Sequence, residues 1–187
     1  MKHVRIALCA CLTLSMAYAQ PATAQAPAPA PLATIATLDV PRYMGTWYEI
    51  AKYPNQFQKK CVADTSAQYS LQPNGTVQVL NRCRKENGEA DQAIGEARQI
   101  GAATSPKLQV RFAPSWLSWL PMVWGNYWVI DLDEAYQLVA VSEPAREYLW
   151  VLSRTPQVSD QAYDALLLRL KAQGLSLERL ERSKQTR

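Results

Sequence analysis

From residue 46 to residue 153 the chain alternates strand-length segments with turn signals, and nothing of helical period interrupts them. Eight segments fit this pattern: 46–53, 63–71, 76–83, 92–99, 107–112, 127–132, 137–142 and 148–153. Pro73-Asn74-Gly75 and Asn87-Gly88 are hairpin turns in composition, and Ser105-Pro106 and Asp133-Glu134 mark two more. In the second segment Ala63, Thr65, Ala67, Tyr69 and Leu71 fall on one face, with Asp64, Ser66, Gln68 and Ser70 on the other. Eight antiparallel strands joined in order leave two bare edges as an open sheet and none as a closed one. The expected fold is therefore all-β, an eight-stranded up-and-down antiparallel β-barrel, a size that encloses one small ligand.

Segment 127–132 is apolar on both faces, so its outer face needs a cover. A C-terminal α-helix supplies one. Ser159 is placed to cap it and Asp160 suits the first turn. Ala162, Tyr163, Leu166, Leu167 and Leu170 form one apolar stripe, and Gly174 offers a left-handed exit. We expect this helix to pack on the outside of the barrel, with partner binding or membrane-surface binding as the alternatives. Residues 175–180 are expected to add a short final strand.

The N-terminus reads as an export signal. Lys2 and Arg5 precede an apolar run over residues 6–16 that ends in Ala17-Tyr18-Ala19, which places a signal peptide at 1–19. The run is shorter than the roughly 20 apolar residues a membrane-spanning helix needs. Residues 20–37 read as an Ala/Pro-rich linker, and a single domain follows at 38–182 with a tail at 183–187. Leu8-Cys9-Ala10-Cys11 loosely matches a lipoprotein cleavage box. Cleavage before Cys11 would leave too short an apolar core, so a periplasmic product is expected over an outer-membrane lipoprotein anchored at Cys11. With Cys9 and Cys11 removed, Cys61 and Cys83 remain as an even pair in an oxidising compartment, and a disulfide is expected.

Of 20 Lys and Arg, Lys2 and Arg5 leave with the signal, against 16 Asp and Glu, so the exported chain is close to neutral. No basic run is dense enough to follow a phosphate backbone, which argues against nucleic acid as a partner.

Gly45-Thr46-Trp47 opens the first strand, Asp131-Leu132-Asp133 ends the sixth, and Tyr148-Leu149-Trp150-Val151-Leu152-Ser153-Arg154 runs through the eighth. In that order these motifs closely resemble the lipocalin family, and within it the bacterial lipocalins of outer-membrane lipoprotein type. The resemblance covers roughly residues 38–180. It implies that Arg154 packs across Trp47 and closes the barrel floor, with Gly45, Asp131 and Asp133 as further structural positions. Asp131-Leu132-Asp133 departs from the Thr-Asp-Tyr form of many animal members. The resemblance also implies binding of a fatty acid or lysophospholipid, for lipid storage, transport or envelope maintenance. Strand parity agrees with it, because the chain entry and the turns after even-numbered strands share one rim, which collects Trp47, the turn at 131–136 and Arg154.

The opposite rim carries the connection 113–125, in which Trp116, Trp119 and Trp124 account for three of the 6 tryptophans. A solvated loop has no reason to be so apolar. It reads as a local core or a lid over the mouth, with a dimer patch or an interfacial foot as alternatives. The sequence leaves both monomer and homodimer open.

The single histidine, His3, lies in the signal, so Ser-His-Asp hydrolysis, Cys-His chemistry and histidine-ligated metal or haem are all lost with it. No cofactor, metal site or catalytic set is expected, and the protein reads as a binder rather than an enzyme. Glu49 is the one candidate acid or base: it shares Trp47's parity and points inward, where an unpaired carboxylate is costly. The candidate site for a small lipophilic ligand is Ala67, Tyr69, Val79, Leu108, Val110 and Phe112 in the lumen, with Glu49, and Trp116 and Trp119 at the mouth.

Overall fold

The computed structural model describes residues 30–186. The readings of a signal peptide, of His3, Cys9 and Cys11, and of residues 20–29 as linker therefore lie outside the described residues.

Eight strands run in order: β1 Gly45–Lys52, β2 Ala63–Leu71, β3 Val77–Arg84, β4 Ala90–Gln99, β5 Lys107–Arg111, β6 Gly125–Leu132, β7 Leu138–Ser142 and β8 Leu149–Ser153. Each pairs antiparallel with the next, and β1 pairs with both β8 and β2, so the sheet closes. The turns form where composition placed them. Asn74 Oδ1 accepts from the Thr76 backbone N–H, and Asn87 Oδ1 accepts from that of Glu89, each holding a hairpin tight. The disulfide joins Cys61 to Cys83 across a Cα–Cα distance of 5.5 Å, tying the loop after β1 to the end of β3. Closing a loop of this size stabilises the fold by about 3 kcal/mol in the chain-entropy account.

Apolar side chains sort into two clusters, one on each side of the wall. The inner cluster includes Trp47, Tyr69, Val79, Leu108, Val129, Val141 and Leu152. The outer one gathers Ile50, Ile130, Ala140, Leu149 and Val151 against Leu166 and Leu170 of helix α2, Asp160–Ala172. A short α1, Val40–Tyr43, precedes the barrel. β6 is apolar on both faces for this reason: Val129 joins the inner cluster and its neighbour Ile130 the outer one. β7 is buried along its whole length, between lumen and helix. Ser159 caps α2 by accepting from Ala162 N–H, and the chain leaves through Gly174 at a φ of 79°.

Four expectations need correction. The segment read as linker does not run loose to residue 37: Leu32 is buried in the outer cluster and Ile35 N–H donates to Val129 O. Two isolated aliphatic residues in an Ala/Pro background suffice to pin it. The alternation of β2 is broken at Asp64, which has a φ of 53°, so Thr65 slips out of step; Leu71 keeps its register opposite Val77 but is exposed at the end of the strand. Residues 175–180 form no strand; Leu175 is buried in the outer cluster and Leu177–Arg179 is a 3₁₀ turn. The last strand, β9, is Glu181–Arg182, paired with Lys52 and Ala51.

Residues 183–186 are accordingly not a tail. β1 pairs with β2 only over residues 45–48, and beyond Tyr48 the two strands separate. The C-terminal segment fills the gap: Ser183 N–H donates to Ile50 O, Asp64 N–H donates to Lys184 O, and Gln185 Nε2 donates to both Glu49 O and Thr65 O. Backbone groups left unpaired there would cost free energy, and the segment satisfies them.

Leu170→Ala removes a side chain buried between α2 and β6. We expect a loss of about 2 to 5 kcal/mol in urea unfolding, with the β-sheet circular dichroism of the folded state retained.

Candidate functional site

The floor of the barrel is built around Trp47, which is fully buried. The Arg154 guanidinium lies 4.0 Å from the centre of its ring. Its three nitrogens donate to backbone carbonyls of Thr46 at 3.1 Å, Arg42 at 2.7 Å and Tyr136 at 3.3 Å. A β-carbon at Gly45 would stand 3.2 Å from Arg154 Nη1, and the φ of 96° there also requires glycine. Asp133 shapes the β6–β7 turn by accepting from the N–H groups of Ala135, Gln137 and Leu138. Asp131 instead makes a two-pronged ion pair with Arg169 of α2, at 2.6 and 2.9 Å. The two acids therefore have separate structural jobs.

Above the floor, Ala67, Tyr69, Val79 and Leu108 are all buried in the inner cluster, and Val110 packs against it partly exposed. Val77, Val129, Val139, Val141 and Leu152 share that cluster and were not singled out from the sequence. Tyr43 and Tyr127 were missed as well. Tyr43 lies in α1, before the first strand, where no strand period reaches; Tyr127 is in step with Val129, a signal that the doubly apolar sixth segment obscured. Toward the rim the inner face becomes accessible. Val77, Val79 and Asn81 share a face of β3, and Asn81 is half-buried while its cross-strand partner Ala93 is exposed.

Glu49 sits near the open end and is 2% exposed. It is not an unpaired carboxylate. Gln58 Nε2 and Ser183 Oγ each donate to it at 2.6 Å, and Lys52 Nζ stands 3.7 Å away. Burial nonetheless pushes its pKa above the ordinary carboxylate value, with the bonds from Ser183 and Gln58 and the charge of Lys52 opposing that. Gln58 Oε1 in turn accepts from Trp150 Nε1 at 2.9 Å, and Trp150 stacks on Tyr148. The carboxylate is thus the hub that holds the loop after β1, the C-terminal segment and β8 together. Among the described residues no group of three or more His, Cys, Asp or Glu could hold a metal ion.

The 113–125 connection differs from the expected local core. Trp116 is 73% exposed, Trp119 74% and Met122 86%. Only Trp124 is anchored, between Arg98 at 4.0 Å and Arg111 at 5.2 Å, with its Nε1 donating to Ser118 O. Two guanidinium planes outcompete the lumen for that ring, and the two 3₁₀ turns at Ser115–Leu117 and Pro121–Val123 carry the other rings outward. Phe112, read as a lumen residue, is also exposed; it lies past the end of β5, against Gly95. A surface groove of about 580 Å³ runs beside it, lined by Gln78, Ile94, Glu96 and Arg111 among others, and no residue of the inner cluster lines it.

The family model described as a lipocalin-like domain matches residues 38–185. Temperature-induced lipocalin-1 of Arabidopsis thaliana is 38% identical over 157 residues, which span 83% of this chain and 83% of that one. Outer membrane lipoprotein Blc of Escherichia coli (strain K12) is 34% identical over 149 residues, 79% of this chain and 80% of its own. Among solved structures, insecticyanin from the tobacco hornworm Manduca sexta superposes with a TM-score of 0.61 at 17% identity, covering 84% of this chain and 85% of that one.

Because burial raises the pKa of Glu49, the folded protein holds that proton to higher pH than the unfolded chain does. Its contribution to stability is greatest below the ordinary carboxylate range and is lost as pH rises through the folded-state value. Glu49→Gln does not titrate. We expect the melting temperature of this variant to gain on that of the wild type as pH rises from the ordinary carboxylate range, about pH 4, through the folded-state value. A constant gap in calorimetric scans across that range would remove Glu49 as the titrating group.

Proposed function

Because this chain belongs to the lipocalin family, we propose that its lumen carries a fatty acid or a lysophospholipid, for lipid storage, transport or envelope maintenance. The observation that supports this reading is the gradient inside the barrel. Aliphatic groups such as Val77, Leu108 and Val139, each beside a turn of the closed end, line that half, while Lys52 and Gln58, with Trp150 and Tyr148, gather toward the open one. A long acyl chain matches the first and an ionic head the second. Glu49, with its oxygens engaged by Ser183, Gln58 and Lys52, serves as a structural hub in this reading and not as a general acid or base.

Export is part of the proposal, on the leader read at residues 1–19, and several relatives bear the name outer membrane lipoprotein. No helix of the described residues is long and apolar enough to cross a membrane. The proposed product is periplasmic and begins near Gln20; a lipid-anchored product would begin at Cys11. Native mass spectrometry with lipid extraction, on protein taken from its own envelope fraction, tests cargo, anchor and oligomeric state together. We expect an unmodified chain with a bound fatty acid or lysophospholipid. A barrel that is empty and refuses added fatty acid would overturn the proposal, and a diacylated chain starting at Cys11 would overturn the soluble form.

A second reading rests on the exposure of Trp116, Trp119 and Met122, which suits contact with a membrane surface during loading or delivery. Replacing Trp116 and Trp119 together with Ser should abolish flotation with phospholipid vesicles and leave fatty-acid uptake intact. Equal flotation of variant and wild type would remove the loop from that role.

A further inference from the structure

Three phenol oxygens meet inside the closed half of the barrel, delivered by three different elements. Tyr127 of β6 places its hydroxyl 2.7 Å from that of Tyr43 in α1 and 3.1 Å from that of Tyr69 in β2. The rings are fixed by one another: Tyr43 stacks on Tyr69 at 5.7 Å, Tyr69 meets Tyr127 edge-on at 6.3 Å, and Tyr43 leans on Trp47 at 5.0 Å. Tyr43 is 2% exposed and Tyr69 7%.

A tyrosine hydroxyl has one proton to donate. The two oxygen–oxygen contacts of the trio use two of its three protons, whichever way each bond points. The third has no acceptor among the described residues. Burial holds all three pKa values up, that of Tyr69 to about 12, so at neutral pH every member remains a neutral donor. The neighbouring guanidinium favours an anion only from a distance, and burial outweighs it at both Tyr43 and Tyr69. Arg154 stacks over Trp47 and gives its donors to the carbonyls of Arg42, Thr46 and Tyr136. A carboxylate lodged at the trio would be a buried charge with no cationic donor to bond it, whereas an uncharged oxygen would complete the network at little cost.

We propose that Tyr43, Tyr69 and Tyr127 form a deep polar subsite that takes an uncharged oxygen acceptor, such as a ketone, ester or ether oxygen, on the end of the lipophile that enters first. This deepens the lumenal-carrier reading and rests on it. The consequence is a division of the cargo: a charged head stays at the rim beside Lys52 and Gln58, and a neutral oxygen function is recognised at the bottom. A fatty acid enters methyl end first, and an oxygenated chain is preferred over a plain one.

The test is displacement of the lumenal probe N-phenyl-1-naphthylamine by a matched pair of ligands. One is a long-chain methyl ketone; the other is the alkene in which a methylene replaces the carbonyl oxygen. A lumen without a free donor favours the alkene, because the ketone gives up its hydration on entry. The trio predicts the reverse, roughly a tenfold preference for the ketone. In the triple variant with Tyr43, Tyr69 and Tyr127 all changed to Phe the ratio of ketone to alkene affinity should fall to one or below. Removing all three hydroxyls together leaves no orphaned partner, so this variant is expected to fold. Should it not, the infrared carbonyl stretch of the ketone bound to wild type serves instead, shifted from its hydrocarbon value toward lower frequency. Equal affinities in wild type, a preference that survives the triple variant, or an unshifted carbonyl would each overturn the subsite and leave the carrier reading standing. Failure of ketone, alkene and fatty acid alike to displace the probe would overturn both.

Discussion

Strand β1 is the member on which the rest of the barrel depends. It bonds to β8 along one edge and shares its other edge between β2 at residues 45–48 and β9 at Ala51 and Lys52. Without it the other strands would make an open sheet with two bare edges. The same eight residues carry the chemistry of both ends. Gly45 and Trp47 build the floor with Arg154, and Glu49 gathers the rim loop, β8 and the C-terminal segment. A register shift between Glu49 and Ala51 allows this double duty, letting the strand face the lumen with Trp47 and Glu49 while Ile50, Ala51 and Tyr53 all join the outer cluster.

What could be read from the chain and what could not divides along the range of the interactions. Strand limits and turns rest on period-two patterning and on residues such as Asn74 and Asn87, which act on their own neighbours, and these were legible to within a residue or two. The cap at Ser159 and the exit at Gly174 are local in the same sense. The partners of Glu49 were not legible, because Ser183 lies 134 residues away along the chain and Gln58 belongs to a loop. Parity pointed Glu49 inward but could not say that a distant serine would meet it there. The tyrosine trio escaped for the same reason, with Tyr43 and Tyr127 separated by 84 residues.

The Trp-rich connection marks a different limit. Its composition argued for burial, yet only Trp124 found a partner, and that partner was a pair of arginines. Hydrophobicity states that a ring gains by leaving water; it does not say into what. Where two proline-started turns hold the backbone away from the barrel, the rings stay in solvent until another apolar phase is brought to them.

The seam between β1 and β2 carries one last consequence, which concerns time rather than space. Residues 183–186 complete a wall whose other parts lie around residues 49–51 and 64–65. A chain emerging from its N-terminus can pair every neighbouring strand as it appears, yet the wall stays split at this point until residues 183–186 have followed. Closure by residues 183–186 ties the seal to a segment more than a hundred residues from the strands it joins, so a cut before residue 183 would leave the eight strands paired and the seam open.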